Sequence, residues 1–438
     1  MKTGRRFSPG LLICATAILL ITGCGYRAPM YKTVITEDPA QYTSVRPKYR
    51  ELAALVASDT RMHPTDSNTL SLLPDARQKF DVMLEDLRGA SESVYIELYR
   101  FRLDSIGTTI TGILKQKASQ GADVRTIVDL GANVKQDRLA LLSLNDCGIA
   151  SHMYYRPMWI NDRLLPSTGV HRDHRKIVLI DGKVGYMGGR NIQDKYLDWR
   201  DCDIRIAGPA VMDLGKIVAQ TQRQMAPQLP ELNITARSVR SSVADTVAGM
   251  HQFKGKTVQI IPDTPWDKAL PVRNCLEWAI ANSKRYFYFY NPYSPPPEST
   301  LKELKKAAAR GVDVRWIIPG NNDVATAKWI GESLYMDLLL AGVKIYEWQG
   351  NVLHAKEFIS DDYLTIIGSA NMDNLSFFLN LEVDALVFDE EVAIQARDLF
   401  LEDTGKRCHR ITLDEVRRWN FFRKARNWFT RFAIGGVS

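Results

Sequence analysis

His171-Arg172-Asp173-His174-Arg175-Lys176-Ile177-Val178-Leu179-Ile180-Asp181-Gly182 decides how the rest of the chain is read. Lys176 follows His174 by 2 residues and Asp181 by 7, and the same offsets return at His354, Lys356 and Asp361. An Asn stands 17 residues after each His, at Asn191 and Asn371, and a Gly-Gly or Gly-Ser pair ends 15 residues after each, at Gly189 and Ser369. Two matches with shared offsets predict an internally duplicated fold. Within each copy the pattern is strand, two-residue turn, strand, and Asp181-Gly182 is the pair that type I′ hairpins favour. On a strand, His174 and Lys176 project from one face. An imidazole that is neutral on demand, beside a fixed ammonium, suits a phosphate: one attacks or moves protons, the other neutralises oxygens. The amides of Asn191 and Asn371 offer hydrogen bonds to those oxygens.

Outward from the motif, strands alternate with helices. Ser93–Tyr99 alternates as a strand, a helix over about 107–120 ends at Gly121, and Val124–Val128 is a strand. The second half repeats this with helix 273–283, strand Tyr286–Tyr290, helix 299–310, strand Val314–Ile318, helix 324–341 and strand Val343–Trp348. The prediction is an α/β fold. Val124-Arg125 recurs as Val314-Arg315 at an offset of 190, whereas the motif histidines are offset by 180, so the first half holds about ten extra residues, assigned to His152–Gly169.

The expected organisation is a signal peptide (1–23), a polar tether (24–70), a first domain (71–221), a connection (222–255), a second domain (256–410) and a basic aromatic C-terminal helix (411–438). Lys2, Arg5 and Arg6 precede the apolar run Leu11–Ile21, which is short of the roughly 20 residues a bilayer span needs. Ile21-Thr22-Gly23-Cys24 resembles a bacterial lipobox, which implies a lipidated Cys24 and a periplasm-facing protein held at a membrane, with the outer membrane favoured over the inner. The other four cysteines relevant to the folded chain, Cys147, Cys202, Cys275 and Cys408, show no metal-ligand spacing and read as inert thiols. Seven Lys or Arg and six large aromatics interleave between Arg410 and Phe432, which fits either an interfacial helix or a closing helix with a solvated basic face.

The two copies resemble the paired HKD motifs of the phospholipase D superfamily. Gly-Gly-Arg-Asn (188–191), Trp199-Arg200-Asp201, Gly-Ser-Ala-Asn-Met-Asp (368–373) and Asn380-Leu381-Glu382 resemble its bacterial cardiolipin synthase branch. The resemblance implies two similar α/β sandwich domains with mixed sheets, related by a pseudo-twofold axis and sharing one active-site cleft. It also implies catalysis by His174, Lys176, Asp181, His354, Lys356 and Asp361, with phosphate held by Asn191, Asn371 and Ser369. His-orienting carboxylates are assigned downstream of each motif: Asp201, 27 residues after His174, and Glu382, 28 after His354. Asp181 and Asp361, at hairpin turns, are expected to serve the turns themselves.

The implied reaction is transfer of a phosphatidyl group between anionic phospholipids, such as phosphatidylglycerol, through a phosphohistidine, with His174 taken as the nucleophile. No cofactor is expected and no metal, because two ammonium groups hold the cation's place. The alternatives are a phospholipase D hydrolase, a phosphodiesterase acting on nucleic acid, and a non-catalytic envelope binding protein. A net charge of +7 over 438 residues, without a concentrated basic tract before the aromatic tail, argues against a nucleic-acid substrate. Intact His, Lys and Asn in both halves argue against a silent protein. His171 and Arg172 read equally as headgroup contacts or as a surface loop.

Overall fold

The computed structural model describes residues 34–155, 158–160, 163–165, 171–232, 234, 250–266, 269–293 and 295–434. The apolar run, the lipobox and Cys24 lie outside them, as do most of the connection and the last four residues.

The chain enters through α1 (Arg50–Thr60) and β1 (Thr65–Leu73). It continues through α2 (Ala76–Gly89), β2 (Ser93–Leu98), α3 (Ser105–Ser119), β3 (Asp123–Asp129), α4 (Lys135–Leu142) and β4 (Ala150–Tyr154). A small hairpin, β5 (Met158–Ile160) with β6 (Arg163–Leu165), falls within the extra residues of the first half. The motif hairpin is β7 (Lys176–Ile180) and β8 (Val184–Gly188), followed by β9 (Asp203–Ala207) and α5 (Ala210–Met225).

The second half repeats the plan. Its elements are β10 (Phe253–Asp263), α6 (Pro271–Asn282), β11 (Tyr286–Tyr290), α7 (Glu298–Ala309), β12 (Asp313–Pro319), α8 (Ala325–Leu340) and β13 (Lys344–Trp348). The second motif hairpin, β14 (Glu357–Ser360) and β15 (Leu364–Gly368), is followed by α9 (Asn374–Phe378), β16 (Glu382–Phe388) and α10 (Glu390–Lys406). The chain closes with β17 (Cys408–Ile411), α11 (Leu413–Arg418) and α12 (Phe421–Ile434).

One mixed 15-stranded sheet runs through both halves. At its centre β1 pairs antiparallel with β10. Outward from β1 lie β9, β8, β7, β2, β3 and β4; outward from β10 lie their counterparts β16, β15, β14, β11, β12 and β13, with β17 added at that edge. This order is the internal duplication that the repeated motif predicted, in the paired arrangement that the family resemblance implied. Period-two alternation sorts the strands' side chains into two layers. Ile177, Leu179, Ile359, Val383 and Ala385 face a cluster under α5 and α10 that both halves share. Val178 and Ile180 face α2 and α3, and Phe358 and Leu386 face α1, α6, α7 and α8.

Two boundaries differ from expectation. Residues 24–70 are not a tether as far as they are described. Leu52, Ala53, Ala54 and Val56 on α1 are essentially inaccessible in the second half's core, and β1 is a central strand. Its polar Asn68 is buried at the β1–β10 junction and donates to the carbonyls of Thr65 and Lys256, which is why a core strand reads as polar linker. The second domain likewise begins at Phe253 rather than 256, and the C-terminal segment is two helices, not one. The four cysteines among the described residues are free thiols, Cys202 and Cys275 buried and Cys147 exposed.

Candidate active site

Asp181 and Asp361 build the turns that aim the motif strands. Asp181 and Gly182 both take positive φ, as a type I′ turn requires, and Asp361 and Asp362 do the same in the second copy. The Asp181 carboxylate accepts N–H bonds from Glu92 (2.7 Å) and Ser93 (2.9 Å), tying its hairpin to the start of β2. Asp361 accepts from the backbone of Lys284, Arg285 and Tyr286 at 2.8, 2.8 and 3.0 Å. Against partial burial, both carboxyls are held below their ordinary pKa, Asp181 by its N–H donors and Asp361 by the Lys48 ammonium and then its N–H donors. They are structural members of the motif, at the far end of the strand from the reacting groups.

The reacting ends lie past the carboxyl ends of the parallel strands, where α/β sheets commonly place ligands. Leu98 of β2 pairs with Lys176, and Tyr290 of β11 pairs with Glu357. His174 and His354 sit just ahead of β7 and β14, and each is held by the opposite half. His174 N–H donates to the Leu381 carbonyl (3.0 Å), and Leu381 N–H donates to Arg172 (2.8 Å). His354 N–H donates to the Arg200 carbonyl (2.7 Å), and Arg200 N–H donates to Val352 (3.0 Å).

The residue after each of those loop partners is the orienting carboxylate, so the pairing is crossed. His174 Nδ1 lies 3.0 Å from both oxygens of Glu382, and His354 Nδ1 lies 2.7 Å from Asp201 Oδ2. Assigning Asp201 to His174 and Glu382 to His354 was wrong: spacing alone fits either wiring, and the backbone bridges between halves select the crossed one. With Nδ1 committed to a carboxylate, Nε2 is the ring nitrogen left for substrate.

Ser369 is corrected too. Its hydroxyl is fully buried and donates to Glu382 Oε2 (2.6 Å), so it supports the His174 partner rather than phosphate. Ser376 donates to the other Glu382 oxygen at 2.7 Å. The first half has Gly189 at the Ser369 position, where a Cβ would stand 2.1 Å from Asp201 Oδ1. The asparagines also diverge. Asn191 accepts from Arg100 N–H (3.0 Å) and donates to the Tyr196 hydroxyl (2.7 Å), placing that ring edge-on to His354. Asn371 Oδ1 is buried with no hydrogen-bond partner among the described residues, so the two asparagines are not equivalent.

Lys176 and Lys356 are buried, and each ammonium donates to the carbonyl of its own motif histidine. Burial pushes Lys176 down to about 7, and the neighbouring Lys356 pushes the same way. Burial likewise takes Lys356 to about 8. The crossed histidine–carboxylate contacts bring both copies into one site, where Lys356 lowers Lys176 and Lys176 and His174 lower His354.

The imidazoles are not equivalent. Burial lowers His174 while Glu382 pulls it back up. Burial, then Lys356, Lys176, His174 and Lys195, drive His354 well below the ordinary value. Burial favours a neutral Glu382, but His174, Lys176 and Ser369 outweigh it and keep the carboxylate ionised.

Aromatic rings that the sequence reading did not assign line the site. Tyr99 stands edge-on to His174 at 4.8 Å, and Trp199 and Tyr293 approach His354 at 5.6 and 5.9 Å. Tyr99 follows directly on β2, a position whose proximity to the motif shows only once β2 is known to pair with β7. His171 and Arg172 are engaged by the protein itself: His171 Nδ1 lies 3.1 Å from the Leu379 carbonyl and Arg172 Nε 3.0 Å from Asp129. No group of His, Cys, Asp and Glu among the described residues is arranged to hold a metal.

The family described as "Cardiolipin synthase, PLD-like domain" matches residues 83–226 and 276–404, one stretch around each motif. The chain belongs to the phospholipase D-like family of cardiolipin synthases. A cardiolipin synthase from Staphylococcus aureus strain Mu50 is 30% identical over 81% of this chain and 71% of its own length. One from Clostridium perfringens strain 13 is 29% identical over 88% and 80%. Cardiolipin synthase 2 from Bacillus anthracis is 33% identical over 75% of this chain, which spans 62% of that relative's length. The phosphatidylserine synthase structure from Haemophilus influenzae Rd KW20 shares the fold, with TM-score 0.58 at 11% identity over 83% of this chain and 92% of its own. The two matched stretches correspond to the two halves of the sheet.

Proposed function

We propose that the protein is a membrane-held phosphatidyltransferase that joins two phosphatidylglycerol molecules into cardiolipin and releases glycerol. The observation that carries this reading is the crossed pair: two imidazoles, each with Nδ1 on a carboxylate of the other half and each beside its own lysine. It is supported by the family and by relatives of that description.

In the first step Nε2 of a neutral imidazole attacks phosphorus of one phosphatidylglycerol. The bond from phosphorus to the headgroup glycerol oxygen breaks, and the protonated imidazole gives that oxygen its proton. In the second step the headgroup hydroxyl of another phosphatidylglycerol gives its proton to the same imidazole and attacks the phosphohistidine. The P–N bond breaks and cardiolipin leaves. His354, held neutral most firmly, is the nucleophile in this scheme. His174, paired to ionised Glu382, is the proton carrier. These roles reverse the assignment made from sequence. Lys176, Lys356 and Asn371 meet the nonbridging oxygens. Lipidation of Cys24 would hold the enzyme at its substrate, facing the periplasm and by the residue after it at the outer membrane.

Purified protein with phosphatidylglycerol vesicles is expected to yield cardiolipin and glycerol in equal amounts. Phosphatidic acid in place of cardiolipin would make it a hydrolase, and DNA cleavage without lipid turnover would make it a nuclease. No reaction of either kind would leave a binding protein.

A further inference from the structure

The C-terminal helix α12 is mounted with its polar face inward. Arg423 and Arg426 reach Glu332 of α8 at 2.9 and 2.8 Å, and Asn427 donates to the same carboxylate at 2.9 Å. Glu332, Asn427 and Thr430 are buried. The other face carries Phe421, Phe422, Trp428 and Phe429, at 77%, 82%, 66% and 63% exposure. Positions i, i+1, i+7 and i+8 share one side of a helix, so these rings form a single stripe. Turning the stripe inward would leave the buried Glu332 carboxylate without its partners, so the outward face is fixed. The helix closes the domain, as one sequence alternative had it, but its packed face is the basic one and its outer face carries the rings.

We infer that this stripe is an interfacial docking face for anionic phospholipid, seating the enzyme on the bilayer that supplies its substrate. The inference rests on the lipid-enzyme reading above. Charge complementarity selects the occupant: exposed Arg417, Arg418 and Lys424 accompany the rings, the pairing of apolar insertion with cation that anionic headgroups favour. A second copy fits less well, since an isologous contact would set the same cations against themselves.

The test uses the full chain carrying Cys24→Ser, so that no lipid anchor masks the contact. Partition onto vesicles of phosphatidylglycerol and phosphatidylcholine is compared with that of the same chain bearing Phe421→Ser, Phe422→Ser and Phe429→Ser. The rings are exposed, so the melting temperature is expected to stay unchanged. Partition is expected to fall roughly tenfold or more. Reversing Lys424 and Arg418 to Glu is expected to weaken binding to these vesicles but not to pure phosphatidylcholine. Unchanged partition overturns the inference, and a switch from dimer to monomer with unchanged partition assigns the face to a second copy. Turnover of lipid in detergent micelles by the Cys24→Ser parent is scored separately: its absence would refute the reaction, whereas vesicle binding alone decides the docking face.

Discussion

Replacing Glu382 by Gln tests the crossed wiring, because it removes charge from one imidazole without touching its own half of the repeat. Glu382 lies 3.0 Å from His174 Nδ1 with both oxygens, and it accepts from Ser369 and Ser376 at 2.6 and 2.7 Å. Gln keeps the volume and one acceptor but loses the charge that raises His174. A charge-assisted hydrogen bond contributes about 1.5–3 kcal/mol. At about 1.36 kcal/mol per pH unit, the His174 pKa is expected to fall by roughly one to two pH units. The proton carrier is then depleted, and turnover drops by roughly 10- to 100-fold for the same energy. The assay is a titration of the histidine ring nitrogens by NMR in protein labelled at His, with signals assigned through His174→Gln and His354→Gln. Glu382→Gln is expected to move His174 and leave His354 nearly in place, and Asp201→Asn to do the opposite. A Glu382→Gln titration that moves only His354 would refute the crossed arrangement.

Other outcomes follow from the same geometry. Burial and then Glu382 push Asp384 up to about 8, and its Oδ2 has no partner among the described residues, because Ala370 stands where Arg190 answers Asp203 in the first half. Between the unfolded carboxyl value and that pKa only the folded state holds the proton, so stability falls as pH rises through this window. Asp384→Asn is expected to flatten that fall and to raise the melting temperature at pH 8, on a scale of several kcal/mol. With Lys176 at about 7, its charge is lost as pH rises, so kcat/KM is expected to decline above about pH 7 to 8. The corresponding limb in kcat should lie higher, because a bound phosphodiester favours the ammonium. Asp361→Ala leaves three N–H groups without their acceptor and is expected to cost about 2–4 kcal/mol in denaturant unfolding. That penalty should shrink as pH falls below the ordinary carboxylate range, since Asp361 is held below it. A rapid denaturing quench during turnover of phosphorus-labelled phosphatidylglycerol by the unsubstituted enzyme is expected to leave label on His354. Label on no residue would argue against the covalent route.

What was legible in the sequence was whatever repeats or alternates. The two motif hairpins, the turn residues Asp181-Gly182 and strand Tyr286–Tyr290 stand where the pattern placed them, because period-two burial and left-handed turn geometry are local. Gly121 and Gly311, expected or implied helix ends, take positive φ. What was not legible depends on the other half of the chain. Asp201 and Glu382 follow their own histidines at nearly equal distance, so nothing in the spacing tells a carboxylate which imidazole it serves. Ser369 looked like a phosphate contact until its hydroxyl was seen to be spent on Glu382. α1 was taken for linker because its apolar run is short and flanked by Pro and charge, and only the packing of Leu52 and Val56 against α6 and the β10 side of the core shows its role.

The most direct measurement of the central claim is cardiolipin formation by His174→Ala and His354→Ala, each checked for an unchanged fold. Two imidazoles acting on one phosphorus predict that either substitution alone lowers turnover by roughly a thousandfold or more, and that the double variant is little worse than the single ones. Near-wild-type cardiolipin formation by either single variant would contradict the shared reaction centre.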